Sequence, residues 1–288
     1  MFISDSVDGF RLAYARQGKG APVVALHGWP GDHGDWRKVA TLLVTDETEL
    51  VTVDLRGFGE SDKHLSGQDV ARVYSAAGQA AAVLGLIDQL ELKRPVIAGY
   101  NVGSRVAQRI AREAPDRVAG LVLAPPLPGV GDRVLSADAQ REYWYQTFHQ
   151  LDVCEQLIDG DAAAIRAYIS HFWSHWSGPS FVMDEGELGR LTALYGAPGA
   201  FMASIAWYRA RAGTMAASLA EEAPAAEERI GVPTKVLWPS EDPLFPFSWS
   251  DRLDEFFSSV TLERLDGIGH FSPLEAPERW AEAIRAAV

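Results

Sequence analysis

Apolar runs alternate with amphipathic segments over the first 124 residues of the chain. Four of these runs are apolar at consecutive positions, which is typical of strands buried on both faces of a mostly parallel sheet. They lie at residues 22–26, 50–53, 95–99 and 118–123. Residues 10–16 instead alternate as an edge strand does, and residues 71–90 have helical spacing. The pattern predicts a doubly wound α/β sheet.

A proline-rich stretch at residues 125–129 ends this alternation. From about residue 135 to 216 the sequence indicates successive helices, dense in aromatic side chains and without a convincing buried strand. The strand pattern then returns, with strands predicted at residues 234–238 and 260–265 and helices at residues 248–257 and 274–287. We therefore expect a core domain formed by residues 1–124 and 218–288. A helical cap, residues 125–217, would be inserted after the sixth strand.

Composition limits the kinds of partner. The chain has 288 residues, 47% of them hydrophobic, and 39 acidic against 26 basic side chains give a formal charge of -13. This charge repels phosphate backbones and anionic lipid surfaces, so we expect neither a nucleic-acid nor a membrane partner. Cys154 is the only cysteine, and residues 1–5 do not resemble a signal segment, which favours the cytoplasm. A homodimer remains open.

The turn after residues 95–99 has the spacing of a nucleophile elbow. Gly99 and Gly103 flank Asn101 at two positions on each side, and an amphipathic helical pattern follows. Small residues at those positions let a strand turn sharply into a helix, so that the central side chain points into a pocket. The central residue is ordinarily Ser, Cys or Asp, whereas the neutral amide of Asn101 is a poor nucleophile.

Turns after other predicted strands supply the partners of such a site, because the carboxyl ends of parallel strands meet at one edge of the sheet. The backbone N–H groups of Trp29 and Val102 would form a two-donor oxyanion hole. Asp242, with Glu241 as the alternative, would orient His270 as the base. The chain order nucleophile, acid, histidine is the one expected on this kind of sheet.

Other polar motifs favour structural roles. The acidic and glycine-rich residues 54–62 predict a tight turn with a local ion pair. His171 and His175 have the spacing of a metal-binding pair on a helix, but no Glu follows His171 and no third ligand is evident. We therefore expect neither a metal site nor an organic cofactor.

Together these residues resemble the α/β-hydrolase family with a cap domain, and within it the epoxide hydrolases. The motifs at residues 27–30, 54–62 and 269–271 are similar to those of this family, although dehalogenases share them. The cap segments Trp144-Tyr145-Gln146-Thr147-Phe148-His149-Gln150 and Trp207-Tyr208-Arg209 match the two that carry paired ring-opening tyrosines in epoxide hydrolases. Fluoroacetate dehalogenases have Trp where Tyr145 stands, and haloalkane dehalogenases commonly have Trp where Val102 stands.

The resemblance implies a two-step reaction if position 101 holds Asp. The carboxylate attacks an epoxide carbon while Tyr145 and Tyr208 stabilise the ring oxygen, and water activated by His270 then hydrolyses the ester to a vicinal diol. Asn keeps the shape of Asp but lacks its anion. The sequence therefore predicts that Asn101 replaces a nucleophilic Asp, as in a variant made to bind substrate with little turnover.

Two alternatives and the choice of substrate remain open at this stage. The chain could be a dehalogenase or another related hydrolase, such as one with lyase chemistry, or a homologue that binds a small ligand without catalysis. The aromatic cap predicts a small hydrophobic substrate, and an aromatic or polycyclic epoxide fits it best. The predicted pocket residues are Trp144, Phe148, Trp173, Trp176, Trp207 and Phe271.

Overall fold

An eight-stranded sheet forms the centre of the computed structural model, which describes residues 1–288. The strands follow one another across the sheet in the order β1-β2-β4-β3-β5-β6-β7-β8. Strands β3 to β8 pair in parallel, while β1 and β2 join one edge antiparallel. The strands are β1 (Phe2–Ile3), β2 (Ala13–Gly18), β3 (Ala21–Leu26), β4 (Thr48–Val53), β5 (Val96–Gly99), β6 (Gly120–Leu123), β7 (Thr234–Pro239) and β8 (Val260–Leu265).

Helices cover the sheet and fill the interval between β6 and β7. They are α1 (Arg37–Leu43), α2 (Val70–Val73), α3 (Ala76–Gln89), α4 (Val102–Glu113), α5 (Ala137–Glu142), α6 (Trp144–Phe148), α7 (Asp152–Ile158), α8 (Ala162–Trp176), α9 (Glu185–Gly196), α10 (Ala200–Arg209), α11 (Met215–Leu219), α12 (Ser272–Glu275) and α13 (Pro277–Ala287). Short 3-10 helices occur at His33–Trp36, Pro115–Arg117, Gly131–Leu135, Ala226–Glu228 and Phe247–Glu255.

The doubly wound sheet predicted from the apolar runs is confirmed. All residues of β5 and β6 are buried, as are the last four of β3, which explains why these strands read as continuous apolar runs. No strand interrupts the helices α5 to α11, so the helical insertion follows the sixth strand. The boundaries of the cap at residues 125 and 217 stay a prediction.

Several predicted elements have different limits. The strand expected at residues 10–16 begins only at Ala13, and β1 lies outside it at the sheet edge. The helix expected at residues 71–90 breaks at Ser75, whose hydroxyl caps α3 by accepting from Gly78 N at 3.1 Å. The helix expected at residues 274–287 divides before Pro277, which begins α13. Residues 247–255 wind as a 3-10 helix rather than an α-helix.

The helical insertion is bound to the loop that follows β3. Arg190 of α9 donates to both carboxylate oxygens of Asp32, at 2.6 and 3.0 Å. Tyr195 donates its hydroxyl to Gly31 O at 2.8 Å, and the Trp173 indole donates to Pro30 O at 3.0 Å. Helices α8 and α9 thus hold the loop that carries the predicted oxyanion donor.

The helices are also short and mixed in polarity. The longest of them, α8, has 15 residues, and none combines the length and apolar character that crossing a bilayer requires.

The pair between Arg190 and Asp32 predicts a measurable contribution to stability. Arg190→Met leaves the buried Asp32 carboxylate without its charged partner, so we expect the free energy of unfolding in urea to fall by about 1–2 kcal/mol. Arg166→Met is the matched control, because Arg166 pairs with the exposed Glu185. Its loss should stay below about 1 kcal/mol. Equal losses in the two variants would contradict the role of the Asp32 contact.

Candidate active site

Asn101 lies in the sharp turn between β5 and α4, as the spacing of the glycines predicts. Its backbone adopts a positive φ of 51° with ψ of -123°, a strained conformation for a residue with a side chain. A Cβ at Gly99 would lie 2.5 Å from Gly103 O, and one at Gly103 would lie 2.2 Å from Leu26 O. Both glycines are therefore required for the turn to close.

The carboxamide of Asn101 is held on three sides. Its Oδ1 accepts hydrogen bonds from Trp29 N at 3.0 Å and from Val102 N at 2.7 Å. Its Nδ2 lies 2.6 Å from His270 Nε2. Since both backbone partners are donors, the oxygen rather than the nitrogen of the amide must face them. The two predicted oxyanion donors do converge, and here they hold the side-chain oxygen of Asn101.

The predicted acid and base also meet. His270 Nδ1 lies 2.7 Å from Asp242 Oδ2, and the other carboxylate oxygen accepts from Leu244 N at 2.9 Å. Nδ1 therefore carries the proton that Asp242 accepts, and Nε2 is free to accept from the amide of Asn101. Both side chains are buried. Glu241, the alternative acid, instead accepts from Ser240 Oγ at 2.9 Å near the surface.

The two predicted tyrosines come from separate helices to the same place. Tyr145 of α6 and Tyr208 of α10 have ring centroids 5.6 Å apart at nearly a right angle, and both line a cavity with Asn101. Burial raises the pKa of the Tyr145 hydroxyl and that of the Tyr208 hydroxyl above the ordinary range of a phenol. Both phenols therefore remain protonated and can donate.

The cavity between these groups is small. Its volume is about 30 Å³, enough for a water molecule but not for an organic substrate. Asn101, Tyr145 and Tyr208 line it, together with Trp207 as predicted. An organic substrate therefore needs more room beside Asn101 than this cavity provides.

Two predicted pocket residues, Trp144 and Phe148, do not border the cavity. Trp144 is 42% exposed, and Phe148 is half-buried against Trp144 and Tyr168. Neighbouring helical residues point about 100° apart, so Trp144 faces away when Tyr145 faces the site. Neither side chain borders the cavity in this structure, and their place in a substrate pocket stays a prediction.

Three further aromatic residues that were expected in the pocket, Trp173, Trp176 and Phe271, do not border the cavity. Trp173 and Phe271 stack with ring centroids 3.6 Å apart, and neither borders the cavity. Trp176 lies between the rings of Tyr145 and His270, at 5.1 and 5.2 Å. These aromatic side chains pack around His270, behind the cavity.

Tyr143 and Leu244, which no sequence motif places in the site, support Asp242. The Tyr143 hydroxyl donates to Leu244 O, and Leu244 N in turn donates to Asp242. Phe245 lines the cavity and lies roughly parallel to the His270 ring. The position of Tyr143 two residues before Tyr145 was the only available signal, and no pattern marks Phe245.

A buried carboxyl lies directly behind the elbow. The Tyr100 hydroxyl donates to Asp35 Oδ2 at 2.5 Å, while Asp35 Oδ1 has no partner. Burial raises the pKa of Asp35 well above its usual range, and the neighbouring Asp32 adds to the shift. Neither residue belongs to a recognisable motif, so the sequence gives no signal for this pair.

The segment at residues 54–62 forms the tight turn that was predicted. Asp54 accepts from His33 N at 2.7 Å and from Glu60 N at 2.9 Å. The local ion pair is wrong, because Asp62 binds Arg11 from outside the segment.

Two groups of side chains have donor atoms of the kind that bind metals: Asp32 with His33 and Asp54, and His171 with His175. Asp32, His33 and Asp54 have donor atoms within 4.8 Å of one another, but His33 Nδ1 is hydrogen-bonded to Asp54 and Asp32 binds Arg190. His175 binds Glu142, and its ring stacks on that of His171. In both groups, side chains of the protein are the hydrogen-bonding partners of these donor atoms.

Comparison with known proteins agrees with this architecture. The model of the alpha/beta hydrolase fold matches residues 21–277. A soluble epoxide hydrolase from Corynebacterium sp. (strain C12) is 25% identical over 94% of this chain and 91% of its own length. A crystal structure of a protein from Nostoc sp PCC 7120, described as an alpha/beta hydrolase, superposes with a TM-score of 0.85 at 27% identity, covering 98% of this chain and 95% of that one.

Other relatives match over shorter spans or have other activities. A 2-succinyl-6-hydroxy-2,4-cyclohexadiene-1-carboxylate synthase homologue from Bacillus subtilis (strain 168) is 35% identical over 43% of each chain, so this chain matches less than half of that relative's length. A fluoroacetate dehalogenase and a non-heme chloroperoxidase are also among the relatives.

The raised pKa of Asp35 predicts a pH-dependent effect on stability. The folded protein binds this proton more tightly than the unfolded chain does, so the contribution of Asp35 is complete below about pH 4 and is lost as the pH rises towards the folded pKa. Asp35→Asn keeps the shape but removes the titration. We expect the free energy of unfolding of the wild type, relative to this variant, to decrease between about pH 4 and pH 7.

Urea unfolding at several pH values measures this difference. The exposed Asp46→Asn variant is the control and should parallel the wild type. A wild-type curve that stays parallel to the Asp35→Asn curve would show that Asp35 is ionised in the folded protein.

Proposed function

The chain belongs to the α/β-hydrolase-fold family, and on this premise we propose that it is an epoxide hydrolase scaffold whose nucleophile is a carboxylate at position 101. One observation carries the proposal. Two buried phenols, Tyr145 and Tyr208, border the same cavity as Asn101, whose amide contacts His270. An ester hydrolase needs a nucleophile, a base and an oxyanion hole, but it has no use for two additional acidic donors on the leaving side.

Ring opening would use the tyrosines and the elbow. With Asp at position 101, one carboxylate oxygen stays in the two-donor hole, and the other takes the place of Nδ2 beside His270, where residue 101 borders the cavity. It attacks an epoxide carbon, the carbon–oxygen bond breaks, and Tyr145 and Tyr208 donate to the oxygen as negative charge develops. Their raised pKa values keep both phenols protonated in the free protein. The product of this step is an alkyl ester on residue 101.

Hydrolysis of that ester would use the histidine. Nε2 of His270 removes a proton from water, which attacks the ester carbonyl carbon, and Asp242 stabilises the imidazolium that forms. The Trp29 and Val102 N–H groups bind the oxyanion of the tetrahedral intermediate. The imidazolium protonates the departing alcohol oxygen, collapse releases a vicinal diol, and the proton of the acid left at residue 101 returns to the tyrosine that protonated the ring oxygen. The amide of Asn101 cannot begin this cycle, because it has no anionic oxygen.

The small volume of the cavity supports a role for the helical insertion as a lid. A volume of about 30 Å³ is too small for an aromatic epoxide, so we propose that residues 125–217 move as a cap to admit substrate. The aromatic surround, including Trp207, favours a hydrophobic and aromatic epoxide.

Dehalogenation is the second candidate. It is favoured by the dehalogenase among the relatives and would use the same carboxylate, base and oxyanion hole. A leaving halide accepts hydrogen bonds but needs no proton, whereas the oxygen of an opened epoxide must be protonated, so two protonated phenols favour the epoxide. A ligand-binding role without catalysis would leave the hydrogen bond between Asp242 and His270 without a purpose.

The Asn101→Asp variant tests the proposal. We expect it to form diol from aromatic epoxides, followed by mass spectrometry, because the nucleophile is restored and every other group is present. Adding Tyr145→Phe or Tyr208→Phe should each lower kcat by at least about 10²-fold, since each removes a donor to the developing alkoxide. Adding His270→Gln should instead trap the alkyl ester on residue 101.

A control variant and the identity of the product distinguish epoxide hydrolysis from dehalogenation. Tyr14→Phe, on β2 away from the site, should leave the activity of the Asn101→Asp protein unchanged. Halide release from haloacids without diol from any epoxide would overturn the proposal in favour of dehalogenation. Turnover that persists when both cap tyrosines are phenylalanine would reject their role.

A further inference from the structure

The site described above already contains a hydrolysable group, the side chain of Asn101. Its carbonyl oxygen occupies the two-donor hole, 3.0 Å from Trp29 N and 2.7 Å from Val102 N. These are the donors that would bind the oxyanion of a substrate ester. An amide carbonyl in this position is polarised for attack at its carbon, since negative charge that develops on Oδ1 is stabilised by both hydrogen bonds.

The base is placed on the opposite side of the amide. His270 Nε2 lies 2.6 Å from Nδ2 of Asn101, and His270 Nδ1 lies 2.7 Å from Asp242. A histidine so oriented can take a proton from water and return it to the nitrogen that departs. The cavity of about 30 Å³ beside Asn101 has room for the water.

We propose that Asn101 is a self-processing site, and that the protein hydrolyses this one amide to generate an aspartate at position 101. Water attacks the carboxamide carbon, and its proton passes to Nε2 of His270. The tetrahedral oxyanion rests on the Trp29 and Val102 N–H groups. The imidazolium then protonates Nδ2, the carbon–nitrogen bond breaks and ammonia leaves. One water is consumed, and the acid that forms ionises to the carboxylate.

The ordinary spontaneous route for asparagine is disfavoured at this position. In that route the backbone nitrogen of the following residue attacks the carboxamide carbon to give a cyclic imide, which opens to a mixture of aspartate and isoaspartate. Here Val102 N directs its hydrogen at Oδ1, begins helix α4 and belongs to a β-branched residue. Ring closure would break that bond and distort the first turn of the helix. Hydrolysis by water gives aspartate alone.

The consequence is a chain that generates its own carboxylate at position 101. The inference goes beyond the proposed function and does not depend on it, because hydrolysis of the amide requires neither an epoxide nor the tyrosines. It also provides a physical reason for keeping His270, Asp242 and the oxyanion donors intact around an amide.

Peptide mass spectrometry of the full-length protein tests this directly. Asn101 is the only asparagine in the sequence, so an amide-to-acid mass change at this peptide is unambiguous, and the glutamines serve as internal controls. During incubation in oxygen-18 water we expect the residue to become aspartate and to gain one heavy oxygen, without isoaspartate. Protein that is already converted on purification, with the amide retained in His270→Gln, gives the same answer.

Substitutions test whether His270 and Asp242 carry out hydrolysis of the Asn101 amide. His270→Gln and Asp242→Ala should each slow conversion at least about 10²-fold. His175→Gln, an exposed histidine paired with Glu142 on the cap surface, should convert like the wild type. An amide that persists in the wild type, conversion at the same rate in His270→Gln, or a mixture with isoaspartate would each overturn the inference.

The outcomes also separate this inference from the proposed function. Diol formation by Asn101→Asp with a stable amide in the wild type rejects self-processing alone. Conversion of the wild type without epoxide turnover rejects the proposed function alone.

Discussion

The hydrogen bonds around the Asn101 carboxamide are the constraint on which the rest of the site depends. Three strand ends must converge to make them: β3 supplies Trp29 N, β5 supplies Asn101 and β8 leads to His270. Parallel pairing places these strand ends at one edge of the sheet. The glycines at 99 and 103 then allow the approach, because a side chain at either would overlap backbone oxygen. A one-residue change in register would separate all of these groups.

Burial makes this arrangement specific. The His270 and Asp242 side chains are almost fully excluded from solvent, and Trp176 and Phe245 pack on the imidazole ring. In such surroundings an unpaired polar atom is costly, so each group in the chain from Leu244 N through Asp242 and His270 to Asn101 is held by the next. Helices α8 and α9 add contacts to the loop after β3, which help to fix the position of the Trp29 N–H group.

The sequence predicted those parts of the structure that leave a local pattern. Continuous apolar runs located the buried strands, and the glycines around Asn101 located the elbow. Asp242 and His270 followed from their places after predicted strands. The orientation of Trp144 could not be read in this way, because α6 is too short to show which face is buried. Asp35 and Tyr100 are 65 residues apart and meet only when the sheet assembles. The break at Ser75 was hidden because alanine-rich helical spacing continues across it.

The central claim is that residue 101 is the position of a covalent carboxylate nucleophile. Single turnover of an aromatic epoxide by excess Asn101→Asp protein in oxygen-18 water tests it most directly. The account predicts that the first diol takes its new oxygen from the enzyme and carries no heavy label, while one heavy oxygen appears in the peptide that contains residue 101. Label in the diol and none in that peptide would show that water attacks the epoxide directly, and would contradict the account.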